Sequence, residues 1–308
     1  MSDVVVDAHH HLWVRSRHPQ DWIDPVGMAA IDADFTPADL PAAAHGVDAT
    51  VVVQSVSRWS ETDELLAVAA SPEGHEARVA GVVGWADLHA HGLEDRLAAL
   101  RAGPGGDRLV GIRTMVQAEA DPGYLDRPDV HAGIAAVGAA GLPFDLVVRA
   151  DQLASCARLA ASLPDVRFVL DHLAKPPIAA TQPDADGRPG DPAALDAWRR
   201  DLALLAARPN VVAKLSGLVT EAHWDSWTPA DLRPVADHAL DVFGPDRLML
   251  GSDWPVCLLA SGYGRWLDAV DELLSHLTPD ERAAVRGRTA VTTYGLDVEP
   301  VVTTKEHP

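Results

Sequence analysis

The chain has 308 residues, 47% of them hydrophobic and 23% charged, a composition that builds a substantial core and excludes disorder as the main state. Lys plus Arg total 25 against 45 Asp plus Glu, and the formal net charge of −20 argues against nucleic acid or an anionic membrane as a partner. The two cysteines, Cys156 and Cys257, have no zinc-finger spacing, the N-terminus lacks signal-peptide features, and no apolar run approaches the ~18 residues of a membrane span, so a soluble, cytoplasmic protein is expected.

In chain order, residues 4–11 form an apolar strand running into three histidines. Alternation along that strand predicts Asp7, His9 and His11 on one face and His10 on the other. A long turn-rich loop over 14–40 follows, with a helix predicted over 36–44 behind Thr36 and Pro37. Strands are then predicted at 49–56, 78–88, 109–116, 143–148, 167–173, 211–218 and 247–254. Helices are predicted at 61–70, 93–101, 129–140, 150–163, 193–207, 230–242, 264–277 and 279–293, and the proline- and glycine-rich stretch 174–192 is read as loop.

Eight apolar strands, each followed by helix, predict a (β/α)8 TIM-type barrel, one domain over 1–297 with a loose tail from 298 to 308. A doubly wound open sheet is the alternative. Histidines, rather than a glycine-rich phosphate turn, follow the first strand, which disfavours it.

In such a barrel the active site lies at the C-terminal strand ends, and the polar residues there form the candidate set. It comprises His9, His11, Gln54, Asp87, Arg113, Asp145, His172, Lys214, Ser216 and Asp253. Arg113 is expected to form an ion pair with Asp87 or Asp145, or to bind substrate. His172 is expected to point away from its neighbour Asp171 by strand alternation.

Three motifs, DAHHHLW at 7–13, LDHLAKPPI at 170–178 and LMLGSDWPVC at 248–257, resemble the amidohydrolase superfamily. The likeness is to its branch of sugar and dicarboxylate lactonases, which open the aldonolactones of L-fucose and L-rhamnose or 2-pyrone-4,6-dicarboxylate. The resemblance implies a distorted barrel with the active site at its mouth. The chain lacks the strand-four lysine and strand-five histidine of two-metal members: LVGIRTMV and PFDLVV stand there instead.

The resemblance therefore implies a lactonase with Asp253 as general base on water and His9, His11 and His172 polarising the carbonyl. No cofactor is expected to be required, and weak zinc binding at His9, His11 and Asp253 is allowed for. Gln54, Trp85, Arg113, Lys175 and Trp254 are the expected substrate-binding residues. The expected partner is a small lactone, a neutral sugar lactone rather than a dicarboxylate because basic groups are few, and the expected assembly is a monomer or homodimer. The alternatives are a zinc-dependent amidohydrolase or decarboxylase, and a non-catalytic barrel that binds a sugar acid.

Overall fold

Runs of β-branched residues buried on both faces form eight short strands: β1 (Val6–His10), β2 (Ala49–Val53), β3 (Val79–Trp85), β4 (Leu109–Thr114), β5 (Phe144–Leu146), β6 (Phe168–Leu170), β7 (Val211–Leu215) and β8 (Leu248–Leu250). The structure, a computed structural model, describes residues 4–184 and 186–298, so the predicted tail lies outside the described residues except for Val298. The strands pair in sequence order and every pair is parallel. The helices between and after them are α1 (Trp59–Ala69), α2 (Pro72–Glu76), α3 (Leu93–Ala102), α4 (Pro128–Ala139), α5 (Leu153–Ser162), α6 (Asp196–Ala206), α7 (Pro229–Phe243), α8 (Tyr263–Leu273), α9 (Pro279–Ala283) and α10 (Thr289–Tyr294). This is the predicted (β/α)8 barrel.

Two hydrophobic layers follow from strand alternation. Ile112, Phe144, Leu146, Phe168, Leu170, Leu215 and Leu250 pack outward in the large cluster shared with the helices. Val6, Ala8, Val51, Val53, Val83, Val169 and Met249 pack together in a second cluster with Tyr294 of α10. Residues from strands so far apart in the order meet only across the barrel interior, so this second cluster is the barrel's own filling.

The barrel is closed beyond the end of β8. The Asp253 N–H donates to the His9 carbonyl (2.8 Å), the His11 N–H donates to the Trp254 carbonyl (2.6 Å), and His10 pairs with Trp254 in a parallel bridge. The segment 252–254 therefore serves as the ladder between the last strand and the first.

Three local expectations change. The helix predicted over 36–44 is two 3-10 turns, Pro37–Asp39 and Ala42–His45, because Pro41 between them has no N–H to continue a helix. The sixth and eighth strands stop at Leu170 and Leu250, before the polar residues assigned to their ends. Asp7 leaves the histidine face: a register shift between Asp7 and His10 breaks the alternation, so the Asp7 carboxylate meets Ser252 and Tyr263 instead.

Candidate active site

His9 of β1, His11 just beyond it and the aspartate that follows β8 meet because closure sets their backbones side by side. His9 Nε2 lies 3.3 Å from His11 Nε2, and Asp253 Oδ1 lies 3.8 Å from the first and 3.4 Å from the second. His172 joins them, its Nε2 3.7 Å from Asp253 Oδ1 and its ring 4.4 Å from that of His9. All four residues are buried. His10 points away, as alternation predicts, and contacts the Thr50 hydroxyl at 3.1 Å.

Unusual backbone brings in the residues after β6 and β8. His172, Leu173, Ala174 and Lys175 all have φ between 48° and 60°, and Asp253 has φ 57°. Each non-glycine residue held there costs on the order of 1–2 kcal/mol, which the surrounding contacts must offset. Two buried tryptophans supply part of the restraint: Trp198 Nε1 of α6 donates to the Leu173 carbonyl (2.7 Å), and Trp266 Nε1 of α8 donates to the Gly251 carbonyl (2.8 Å). Because β6 ends at Leu170 and the chain turns left-handed from His172, Asp171 and His172 both enter the site; strand alternation, which separated them, no longer applies.

A fully buried charge layer lies against these histidines. Lys214 Nζ contacts Asp145 Oδ2 (2.7 Å), Asp171 Oδ1 (3.0 Å) and His9 Nδ1 (3.1 Å). Arg113 Nη1 pairs with Asp171 Oδ2 at 2.9 Å, and Nη2 donates to the Gln54 carbonyl. Arg113 thus pairs with Asp171, not with Asp87 or Asp145. From the opposite side, the Tyr294 hydroxyl donates to Asp145 Oδ2 at 2.7 Å.

Burial and charge set the protonation states. Burial would raise the Asp171 carboxyl, but Lys214, His9 and Arg113 hold it well below the usual range. Burial likewise opposes ionisation of Asp253, and the facing imidazoles of His172, His11 and His9 outweigh it, so Asp253 is a carboxylate at neutral pH. Burial pushes His172 down to about 4, against the pull of Asp253, and lowers His9 strongly. The cluster is therefore a carboxylate beside two imidazoles, His9 and His172, whose charging burial disfavours.

A cavity of about 300 Å³ opens over this cluster. His11, Arg113, His172 and Asp253 line its floor, and Lys175, paired with Glu221 at 3.3 Å, lines its wall. His9 lies just beneath, with no exposed surface. Gln54, Trp85 and Trp254 do not border the cavity. Gln54 is buried against Arg113, Trp85 packs edge-on against Trp59 at 5.4 Å, and Trp254 packs on Phe35 at 5.2 Å. Sequence reasoning did not connect Asp171, Glu221 and Tyr294 with the site; Tyr294 sits on the last helix and carries no local signal.

The donor set fits a zinc ion. His9 Nε2, His11 Nε2 and Asp253 Oδ1 form a triangle with edges of 3.3, 3.4 and 3.8 Å, close to the ~3.4 Å separation of ligands around tetrahedral zinc. His11 Nδ1 donates to the Val53 carbonyl at 2.7 Å, which leaves Nε2 of the neutral ring as a lone pair.

Residues 6–296 match the amidohydrolase family, and the chain belongs to that family. The L-fucono-1,5-lactonase of Burkholderia multivorans is 39% identical over 96% of this chain and 97% of its own length. The crystal structure of a Burkholderia multivorans amidohydrolase with bound HEPES superposes with a TM-score of 0.85 at 39% identity, covering 95% of this chain and 99% of that one. A Burkholderia multivorans amidohydrolase structure with bound zinc gives 0.83 at 38% identity, with the same coverage.

Proposed function

We propose that this protein is a lactonase that opens a six-membered sugar lactone of the L-fucono-1,5 type. The observation that carries the reading is the Asp253 carboxylate set among His9, His11 and His172 at the floor of a cavity, in a chain 39% identical to an L-fucono-1,5-lactonase along almost its whole length. The cavity chemistry supports the substrate class. Lys175, Glu221 and Gln117 offer partners for ring hydroxyls, while Met28, Val256 and Leu259 offer an apolar wall for the methyl of a 6-deoxy sugar. Among the described residues, the cavity has one cation besides Arg113, the already paired Lys175, which is too few to hold a dicarboxylate.

In this mechanism Asp253 takes a proton from water as the water oxygen bonds to the lactone carbonyl carbon. His172 provides a hydrogen bond to the oxygen that becomes negative, His11, whose Nδ1 donates to the Val53 carbonyl, does so only as an imidazolium, and His9 backs them from beneath the cavity. The ring carbon–oxygen bond then breaks, and protonated Asp253 returns its proton to the departing ring oxygen. The product is an open hydroxy acid, whose ionisation releases a proton to solvent.

Zinc bound at His9, His11 and Asp253 would supply Lewis-acid polarisation of the carbonyl. We propose that no metal is required, because each step above has a side chain to perform it. The competing reading, a zinc-dependent hydrolase or decarboxylase, draws on the zinc-bound Burkholderia multivorans structure.

A pH-indicator assay over a panel of aldonolactones tests the proposal. Proton release well above the spontaneous rate is expected for L-fucono-1,5-lactone. Binding without turnover across the whole panel would favour a non-catalytic, sugar-acid-binding barrel and sink the lactonase reading.

A further inference from the structure

We infer that Glu221 is a specificity-determining residue: by neutralising Lys175 at the cavity wall it makes the site favour an uncharged sugar ring over a sugar-acid carboxylate, and so release the anion that ring opening produces. That the acid is the product rests on the lactonase reading; the preference for a neutral ring over an anion does not.

Hydrolysis changes the charge of the bound molecule. A sugar lactone is neutral, whereas the open hydroxy acid is a carboxylate at neutral pH. Its carboxylate carbon is the former carbonyl carbon, so the new charge forms at the cavity floor. It stands there beside Asp253, which is a carboxylate again once it has returned its proton. A free cation at that place would hold the anion through charge-assisted hydrogen bonds and trap the product.

Among the described residues the cavity presents no cation without its own acceptor. Four ionic side chains border it: Arg113, Lys175, Glu221 and Asp253. Arg113 directs Nη1 to Asp171 Oδ2 at 2.9 Å and Nη2 to the Gln54 carbonyl. Lys175 Nζ donates to Glu221 Oε1 at 3.3 Å, and among the described residues Glu221 is the one carboxylate in ion-pair contact with that ammonium. Asp253 has imidazoles around it and, among the described residues, no ammonium or guanidinium in ion-pair contact. Floor and wall together thus carry one carboxylate in excess, which opposes the arrival of another.

The backbone sets the pair in place. Lys175 ends the left-handed run that begins at His172, with φ 53°, and its N–H donates to the His172 carbonyl at 2.9 Å. Glu221 closes a 3-10 turn, Val219–Glu221, beyond β7, where its N–H donates to the Leu218 carbonyl at 3.1 Å. Strands β6 and β7 are neighbours, so the loops that follow them meet at the wall. The two side chains are 29% and 22% exposed, so water and salt screen the pair less than they screen an ion pair on the open surface. Lys175 also faces the floor, since its charge is among those that oppose protonation of His172.

Calorimetric titration of the chelated, metal-free protein with two probes tests this. The probes are L-fuconate, an anion, and 1,5-anhydro-L-fucitol, a neutral six-membered ring of the same stereochemistry that has no bond to hydrolyse. Glu221→Gln keeps the side-chain size and frees the Lys175 ammonium. Its affinity for L-fuconate relative to the anhydro sugar is expected to exceed the wild-type ratio by about tenfold or more. An unchanged or lower ratio overturns the inference, as does a wild type that binds the anion at least as tightly as the neutral ring. The charge-balanced pair Lys175→Met with Glu221→Gln is expected to bring the ratio back near the wild-type value. A gain that survives loss of the ammonium overturns the inference, because a structural effect of Glu221 alone would not need Lys175. If the ratios move as expected while the wild type opens no lactone, the lactonase reading fails and the charge preference stands; if lactone is opened and the ratios do not move, the reverse holds.

Discussion

The Asp7 carboxylate accepts both the backbone N–H of Ser252 (2.8 Å) and its hydroxyl (2.6 Å), joining the first strand to a segment 245 residues away. Tyr263 of α8 adds a third hydrogen bond at 3.0 Å. Since Asp253 follows Ser252 directly, the contact that seals the barrel also sets the general base. Asp7→Ala is expected to lose roughly 3 kcal/mol or more of stability, as buried partners lose their acceptor. Its turnover should fall further than unfolding accounts for. Urea midpoints and kcat measured on the folded fraction check this; an unchanged kcat would detach Asp7 from the placement of Asp253.

Asp253→Asn keeps the side-chain size and removes the basic oxygen. A loss of about 10³-fold or more in kcat/KM is expected with the fold intact by circular dichroism. Activity within a few-fold of wild type would remove Asp253 from the role of general base.

Gly217 has φ +61°, and a Cβ there would stand 2.5 Å from His172 Nδ1. The same nitrogen contacts Ser216 Oγ at 2.9 Å. Gly217→Ala therefore strains the backbone and pushes the imidazole off its position. Destabilisation of about 1 kcal/mol or more is expected, with a further drop in kcat measured well below the melting temperature. Wild-type turnover in this variant would show that the placement of His172 does not matter to the reaction.

Burial pushes His10 down to about 3, so it is neutral in the folded chain and titrates near 6.5 once unfolded. The unfolded state then binds the extra proton, and stability falls as pH drops from about 6.5 toward 3, by up to about 1.4 kcal/mol per pH unit for this group. His10→Gln should flatten the acid side of the stability curve by about one proton, read as the slope of unfolding free energy against pH. An identical slope in the two proteins would contradict this sign.

Removal of zinc by chelation, verified by elemental analysis, is expected to leave lactone turnover unchanged. Activity lost on stripping and restored by zinc alone would favour the metal-dependent reading.

The barrel was legible because its signals are local: eight β-branched runs, each followed by helix, state the strand count and the parallel order. The separation of His10 from His9 and His11 was equally legible, since period-two alternation is a property of the strand itself. GSDWP placed an aspartate at the end of the last strand, and in a barrel that strand is next to the first.

Which polar groups face each other was not legible. Alternation failed at Asp7 through a register shift, and at Asp171 and His172 because the strand ends at Leu170 and the chain turns left-handed from His172. Arg113 found Asp171, 58 residues on, and Lys214 found His9 from 205 residues away. Such pairings depend on barrel closure, which no local pattern encodes. Tryptophan identity was similarly ambiguous: an indole serves equally as a sugar platform or a core anchor, and only packing made Trp254 a partner of Phe35. Local pattern alone thus specified the scaffold and the two histidines of one strand face, whereas closure of the barrel chose their partners, because burial leaves a charged group no stable place except beside its complement.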